Sequence, residues 1–213
     1  MRVSLRPETA AYLVRLARRG LEEAVASRYR RPDLVSTRVG PRPDDPALDR
    51  PGRLFVTWHH RGTLVGCLGQ LEPAEPLARA VARLAVDAAI HDPRTPGATP
   101  EILPSIDGEI SLLSEPRPLD AVGLAAIARR LVPGHDGLLL ECDGRRAFFL
   151  PQVWEQLPEP ARFLAALVRK GGMDPERAAA AARGSVFEAE VLPIPPAADA
   201  PPAGVAGSSG GAR

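Results

Sequence analysis

Two strand-like segments joined by a very short connection limit the fold of this chain more than any other feature. They read LFVTWHH, residues 54–60, and LVGCLGQ, residues 64–70, with only Arg61-Gly62-Thr63 between them. A connection this short joins antiparallel strands, because parallel neighbours need a crossover of a dozen or more residues. The sequence therefore predicts a β-hairpin and an antiparallel sheet.

The other apolar patterns mix helices with strands and show no regular strand–helix–strand order. A second hairpin is predicted over residues 137–151, where Asp143-Gly144 favours the positive φ angles of a type I′ turn. Strand patterns also occur at 108–114 and 185–192. Apolar residues recurring every three or four positions predict helices near 7–27, 77–88, 124–131, 162–170 and 175–183. Together these patterns predict an α+β fold, with a mainly antiparallel sheet built from hairpins and flanked by helices.

The composition changes at Pro193. Residues 1–192 are long enough and apolar enough to form a folded domain, whereas PIPPAADAPPAGVAGSSGGAR, residues 193–213, is rich in proline, alanine and glycine. Such a segment buries too little apolar surface to offset the entropy of ordering it. The sequence predicts a domain over residues 1–192 and a disordered tail over residues 193–213.

Charge and cysteine content exclude several classes of protein. The chain has 27 basic and 26 acidic residues, so it lacks the basic surface expected of a protein that binds nucleic acid or anionic lipid. No segment approaches the roughly 20 apolar residues of a membrane span, and the first residues do not resemble a secretion signal. A cytoplasmic protein is predicted, with Cys67 and Cys142 as free thiols. The four histidines and two cysteines have no zinc-type spacing, so neither a metal site nor a cofactor is predicted.

Cys67 is placed between two glycines, Gly66 and Gly69, in the second strand of the first predicted hairpin. Glycines inside a strand let a backbone or a ligand approach closely. The pattern fits a ligand site around the thiol, and it also fits a small buried cysteine in a tightly packed strand.

The length of the hairpin turn decides which residue faces Cys67. A two-residue turn places Cys67 opposite Val56, and a three-residue turn places it opposite Thr57. Strand residues are about 3.3 Å apart along the chain, so neither register brings His59 or His60 across from the thiol. A Cys–His pair from this hairpin is therefore not expected.

Two further polar patterns each have a structural and a functional interpretation. In Asp92-Pro93-Arg94, at the end of a predicted helix, the arginine can clamp an anion or bond the last helical carbonyls. Glu109 and Ser111 alternate in the strand GEISLLS, where they form either a solvated strand face or the wall of a polar pocket. The chain has no G-x-S-x-G, P-loop or dinucleotide-binding motif.

The order of these segments resembles the AMMECR-one domain family, whose bacterial and archaeal members are called AmmeMemoRadiSam system protein A. The resemblance covers about residues 5–191. It rests on the ordered segments LVRLAR, FVTWHHRGTLVGCLGQLEP, AVDAAIHDPRTPG, GEISLLS, DGLLLECDGRRAFFLPQVW and FLAALVRKGGM. It implies a two-lobed α+β domain, with a cavity near the family's Leu-Arg-Gly-Cys-Ile-Gly segment and no established activity.

The resemblance also implies a site centred on Cys67, a candidate catalytic residue. The other candidate pocket residues each match a family motif: Arg18, Gly66, Gly69, Asp92, Arg94, Glu109 and Ser111. The arginine that precedes Gly-Cys in the family is Val65 here. A guanidinium that stabilises a thiolate or binds an anion must therefore come from Arg94 or Arg18. The phenylalanine after Asp-Pro-Arg is Thr95 in this chain.

The family name implies a pathway shared with a Memo-like protein and a radical SAM protein. This chain has two cysteines, fewer than the three that such an iron–sulfur cluster needs, so that chemistry would belong to the partner. The resulting hypothesis is a Cys67-centred polar pocket for a small ligand or for a partner's reaction. A non-catalytic interaction module whose glycines serve close packing is the first alternative, and a hydrolase with a cysteine nucleophile is the second.

Overall fold

The computed structural model describes residues 5–27 and 39–197. Within these ranges the chain forms two compact units: a larger one of residues 5–112 and 191–197, and a smaller one of residues 113–190. The helices are α1 (Pro7–Ser27), α2 (Leu77–Ile90), α3 (Leu124–Ala128), α4 (Pro160–Lys170) and α5 (Pro175–Ala181). The strands are β1 (Arg53–His60), β2 (Thr63–Gln70), β3 (Ile106–Leu113), β4 (Arg117–Val122), β5 (Gly137–Cys142), β6 (Arg145–Phe149), β7 (Arg183–Phe187) and β8 (Ala189–Ile194). Among the described residues, no helix is long and apolar enough to cross a membrane.

These elements confirm the predicted α+β fold. The larger unit contains a sheet of strand order β2-β1-β3-β8, so β2 and β8 are its edge strands. Helix α2 packs on β1 and β2, and α1 packs on α2. The buried indole of Trp58 marks the helix side of this sheet, because its N–H donates to the carbonyl oxygen of Ala85 in α2 at 3.0 Å.

The first hairpin is confirmed, and its turn has two residues. Arg61-Gly62 has φ angles of 51° and 77°, the pair of positive values typical of a type I′ turn. A bulge after Trp58 shifts the register by one residue, with Val65 as the extra residue of β2. Cys67 consequently lies opposite Thr57, the partner expected for a three-residue turn.

The smaller unit contains the second sheet, of strand order β4-β7-β5-β6. Its predicted hairpin is confirmed, with Asp143 and Gly144 at φ angles of 48° and 74°. Its core includes Phe163, whose ring stacks on that of Trp154 with 3.9 Å between centroids. Strand β4 has no counterpart in the sequence predictions. It lies at the edge of the sheet, where Pro118 can be accommodated without the N–H that a central strand requires.

The last strand extends into the segment predicted as a tail. Strand β8 includes Pro193 and Ile194, and only 1% of Ile194 is exposed. The carbonyl oxygen of Pro195 accepts a hydrogen bond from Arg18. Ordered contacts therefore continue to Pro195, and the tail prediction for residues 198–213 lies outside the described residues.

Truncation after Leu192 should destabilise the protein because it removes Ile194 and the carbonyl group of Pro195. Burial of one large aliphatic side chain stabilises a fold by about 2 kcal/mol. We expect the midpoint of thermal unfolding to fall by about 4–8 °C in calorimetry. A chain that ends at Ala197 is the matched control and should melt like the full chain. Equal midpoints for the two truncated chains would contradict the prediction.

Candidate functional site

Cys67 lies on the edge strand β2, on the sheet face opposite α2. Gly66 pairs with Trp58 on the helix side, and successive strand residues point to opposite faces, so Cys67 and its partner Thr57 share the other face. The hydroxyl of Thr57 donates to the sulfur of Cys67 at 3.3 Å. Thr57 is buried and Cys67 is half-buried. The thiol is therefore held beside a buried hydroxyl, in a residue that is itself only half-buried.

Asp92 and Arg94 bind the two backbone polar groups of Cys67. The N–H of Cys67 donates to Oδ2 of Asp92 at 2.8 Å, and Nη2 of Arg94 donates to the carbonyl oxygen of Cys67 at 2.8 Å. Outward-pointing groups of an edge strand lack a neighbouring strand to bind them. Two side chains from the segment after α2 take the place of that strand at Cys67.

The two side chains also form a two-point ion pair. Arg94 donates from Nε to Oδ1 of Asp92 at 2.9 Å and from Nη2 to Oδ2 at 2.7 Å. The backbone N–H of Arg94 donates to Oδ1 at 3.1 Å. The Asp92 side chain is 0% exposed, whereas that of Arg94 is 62% exposed. The pair thus has a buried anionic end and a solvent-facing cationic end.

Both partners of this pair have shifted pKa values. Hydrogen bonds from Arg94 hold the pKa of the Asp92 carboxyl well below its ordinary range, against the opposing effect of burial, and the Cys67 N–H adds to the shift. Hydrogen bonding to Asp92 raises the pKa of Arg94, and the Cys67 thiol makes a smaller contribution of the same sign. The guanidinium therefore lies close enough to the thiol to interact with it electrostatically. Among the described residues, Nη1 of Arg94 has no hydrogen-bond partner.

Packing inside the larger unit accounts for the two glycines near Cys67. A Cβ atom at Gly66 would lie 1.8 Å from the carbonyl oxygen of Ala88 in α2, and one at Gly69 would lie 2.1 Å from the ring of Phe55. Neither position has room for a side chain. The sequence allows either a ligand or a protein group to approach these glycines closely. At both positions the structure places a protein group there.

Glu109 and Ser111 lie on β3, the strand beyond β1. A Cβ atom at Gly108 would meet the ring of Trp58 at 2.4 Å, which puts Gly108 on the helix side of the sheet. Alternation then puts Glu109 and Ser111 on the face that carries Cys67. Ser111 is buried, and its Oγ lies 3.5 Å from Oε1 of Glu109. This face combines a thiol, two hydroxyls and a carboxylate from three strands.

Arg18 lies on the other side of the sheet. Its guanidinium is 5.5 Å from the ring centroid of Trp58, on the helix side, and it donates to the carbonyl oxygen of Ile106 at 2.9 Å and to that of Pro195. The sheet lies between Arg18 and Cys67. The guanidinium group beside the Cys67 thiol is therefore that of Arg94 and not that of Arg18.

Comparison with known proteins identifies the family. The AMMECR1 family model matches residues 14–192. The chain belongs to the AMMECR1 family. A protein of Thermofilum pendens is 35% identical over 182 residues, which cover 79% of this chain and 81% of the relative. A protein of Methanothermobacter thermautotrophicus is 36% identical over 168 residues, covering 77% and 82%. The crystal structure of an uncharacterised protein from Pyrococcus horikoshii matches with a TM-score of 0.75 at 28% identity, covering 88% of this chain and 92% of that one.

In this AMMECR1 domain the segment after α2 follows the outer edge of β2 beyond Cys67. The hydroxyl of Thr95 donates to the carbonyl oxygen of Val65, in the bulge. Val65 itself is 5% exposed. The position at which the resemblance implies an arginine is therefore occupied by a buried apolar side chain, and Arg94 provides the guanidinium next to Cys67.

Neither Thr57 nor Thr95 is marked as a site residue by the sequence pattern of this AMMECR1 domain. Thr57 enters only as one of two alternatives for the residue opposite Cys67, and the bulge decides between them. Thr95 binds a residue 30 positions away, and no local signal predicts such a contact.

Neither histidine of the first hairpin lies beside Cys67. His59 pairs with Leu64 and His60 with Thr63, so neither lies across the ladder from Cys67. In the part of the AMMECR1 domain that the structure describes, no group of three His, Cys, Asp or Glu side chains is arranged to hold a metal ion.

Proposed function

We propose that this AMMECR1 domain binds a small ligand with an acidic group on the sheet face that carries Cys67. One observation carries the proposal: Asp92 and Arg94 bind the backbone of Cys67, a half-buried residue whose sulfur lies beside the Thr57 hydroxyl. A group fixed in this way needs little further ordering when a ligand binds, and low ordering cost favours affinity.

Arg94 provides the exposed guanidinium hydrogen-bond donor of the proposed site. Its side chain is 62% exposed, and within the described residues its Nη1 is not bound to any acceptor. The buried Asp92 carboxylate fixes Nε and Nη2, so the orientation of the remaining nitrogen is set as well. A planar guanidinium suits carboxylate and phosphate groups. The proposed ligand is therefore a small carboxylate or phosphate compound.

In this proposal the thiol shapes the site and does not attack a substrate. A cysteine nucleophile needs an adjacent base or a cation that is free to stabilise the thiolate. The sulfur of Cys67 is hydrogen-bonded to a threonine hydroxyl, and the charge of Arg94 is balanced by Asp92 at 2.7 Å. These surroundings favour a polar contact over a strong nucleophile.

The proposal places the domain in a pathway with a Memo-like protein and a radical SAM protein. Its basis is the family resemblance together with the count of two cysteines, which leaves iron–sulfur chemistry to a partner. A small-ligand site is suited to holding the substrate or product of such a partner. Radical SAM and Memo-type genes next to this one would support the pathway, and their absence would count against it.

Labelling with iodoacetamide tests the proposed site. The Cys142→Ala protein leaves Cys67 as the only thiol, and alanine suits the buried apolar surroundings of Cys142. We expect slow labelling below pH 7, because Arg94 is paired with Asp92. We also expect malonate to slow the labelling further, because its carboxylates bind at Arg94 next to the thiol. Mass spectrometry measures the labelled fraction over time. In the samples without malonate, a chloride salt brings the ionic strength to the same value.

Two arginine variants make the labelling experiment specific. Arg94→Gln should abolish protection by malonate. Arg79→Gln removes an exposed charge from α2, and this variant should still be protected by malonate. Labelling that malonate leaves unchanged would contradict the ligand site. Fast labelling below pH 7 would instead favour an enzyme with a cysteine nucleophile.

A non-catalytic interaction module is the second candidate function. The observation that favours it is the fit of Gly66 against the carbonyl oxygen of Ala88, because it explains the glycine without any ligand. The labelling experiment separates the two candidates, since an interaction module predicts no protection by malonate.

A further inference from the structure

A groove of about 600 Å³ lies on the larger unit, between α1 and the residues that follow β8. Its apolar walls are formed by Val14, Val39 and residues 194–197. Its volume falls within the range of roughly 300–1,000 Å³ that is typical of small-molecule sites. It lies on the helix side of the sheet, because Arg18 borders it and contacts the ring of Trp58. The groove is therefore separate from the Cys67 face.

The charged lining of this groove is mainly cationic. Among the residues that the structure describes, it consists of Arg15, Arg18 and Arg19 together with Glu22. Glu22 already pairs with Arg19 at 3.2 Å. Arg19 also pairs with Glu23 at 3.1 Å, so within the described residues Arg15 and Arg18 are the lining arginines without a salt bridge.

Arg18 is the more buried of these two arginines. Its Nη2 is bound by two backbone carbonyl oxygens, those of Ile106 and Pro195. Its Nη1 is buried and has no hydrogen-bond partner among the described residues. Burial lowers the pKa of Arg18, and Glu22 and Asp107 offset this only by attraction at longer range.

A buried cation without a carboxylate partner is unfavourable unless another anion compensates it. Within the described residues Arg18 forms no ion pair. The groove next to it has apolar walls, which suit a hydrocarbon chain and not a hydrated inorganic anion. Apolar walls and an uncompensated guanidinium together specify an amphipathic anion.

We infer that this groove binds a small amphipathic carboxylate. Its hydrocarbon part packs against Val14, Val39 and Ile194, and its carboxylate lies toward Arg18. The inference does not depend on the function proposed for Cys67, because the two sites use different residues and opposite faces of the sheet.

Calorimetric titration of the full chain with decanoate, below its micelle concentration, tests the inference. We expect decanoate to bind and decyltrimethylammonium, with the same chain and the opposite charge, to bind at least about tenfold more weakly. Arg18→Gln should weaken decanoate binding by about tenfold or more. Arg79→Gln removes an exposed charge of the same unit and should bind like the unaltered protein. Absence of decanoate binding, or equal binding of the two amphiphiles, would overturn the inference.

A second variant keeps the test decisive if Arg18→Gln fails to fold. Val14 is half-buried in the groove wall, so Val14→Phe fills the groove without touching the arginines. We expect decanoate binding to be lost in this variant, and unchanged binding would overturn the inference. Arg94→Gln should bind decanoate normally, so failure of the Cys67 proposal and failure of this one are distinguishable.

Discussion

Replacing Asp92 with asparagine should lower the free energy of unfolding by about 3 kcal/mol, measured by urea denaturation. The buried carboxylate accepts four hydrogen bonds, one from the N–H of Cys67 and three from Arg94. An asparagine side chain can accept hydrogen bonds only at its single oxygen. Its amide nitrogen, itself a donor, would face some of the donor groups of Cys67 and Arg94. Hydrogen bonds to a charged group contribute roughly 1.5–3 kcal/mol each, and the exposed Arg94 recovers part of this by binding water.

The same substitution in an exposed ion pair is the control. Asp49 pairs with Arg42 in the larger unit, and its side chain is 68% exposed. Exposed pairs of this kind contribute about 1 kcal/mol or less, so Asp49→Asn should have little effect. A loss of stability at Asp92 no larger than that at Asp49 would contradict the structural role of Asp92.

The effect of the Asp92 substitution should depend on pH. The pKa of Asp92 in the folded protein lies below its ordinary value of 3.8. The ionised carboxylate therefore stabilises the fold fully above that value, and the stabilisation is lost as the pH falls below it toward the folded-state pKa. The difference in urea midpoint between the unaltered protein and Asp92→Asn should shrink between about pH 5 and pH 2.5. A difference that stays constant over this range would show that another group is responsible.

Local sequence signals were sufficient for most of the fold. Both hairpin turns contain residues that adopt positive φ angles, and the apolar periodicity predicts α1 over the range that the structure shows, Pro7–Ser27. Strand β4 was missed because none of its residues is buried and it contains Pro118, features that are also typical of a loop. Its pairing with β7, which is distant in the chain, makes it a strand.

The candidate site depends on contacts that local signals do not contain. Cys67 and Asp92 are 25 positions apart, so their hydrogen bond follows from the packing of α2 against β2 and not from either segment alone. Motif resemblance groups Arg18 with Cys67. The structure separates them because Arg18 lies on a helix that packs behind the sheet. The bulge that brings Thr57 opposite Cys67 likewise depends on how β2 fits against β1.

The largest loss of stability is expected for Gly66→Ala. The added Cβ atom would lie 1.8 Å from the carbonyl oxygen of Ala88, a backbone atom that cannot move by rotating a side chain. Either β2 or the end of α2 must shift, and such a shift disturbs Asp92 as well. We expect a loss of about 3 kcal/mol or more, or about 6–12 °C in the midpoint of thermal unfolding.

Gly62→Ala, in the turn of the same hairpin, separates crowding from backbone strain. Gly62 has a φ angle of 77°, and a Cβ atom there would meet nothing within 4 Å. The cost of that substitution is conformational and amounts to about 1 kcal/mol, or 2–4 °C. If Gly66→Ala were as mild as Gly62→Ala, close packing would not explain the glycine before Cys67. The interaction-module alternative would then lose its main support.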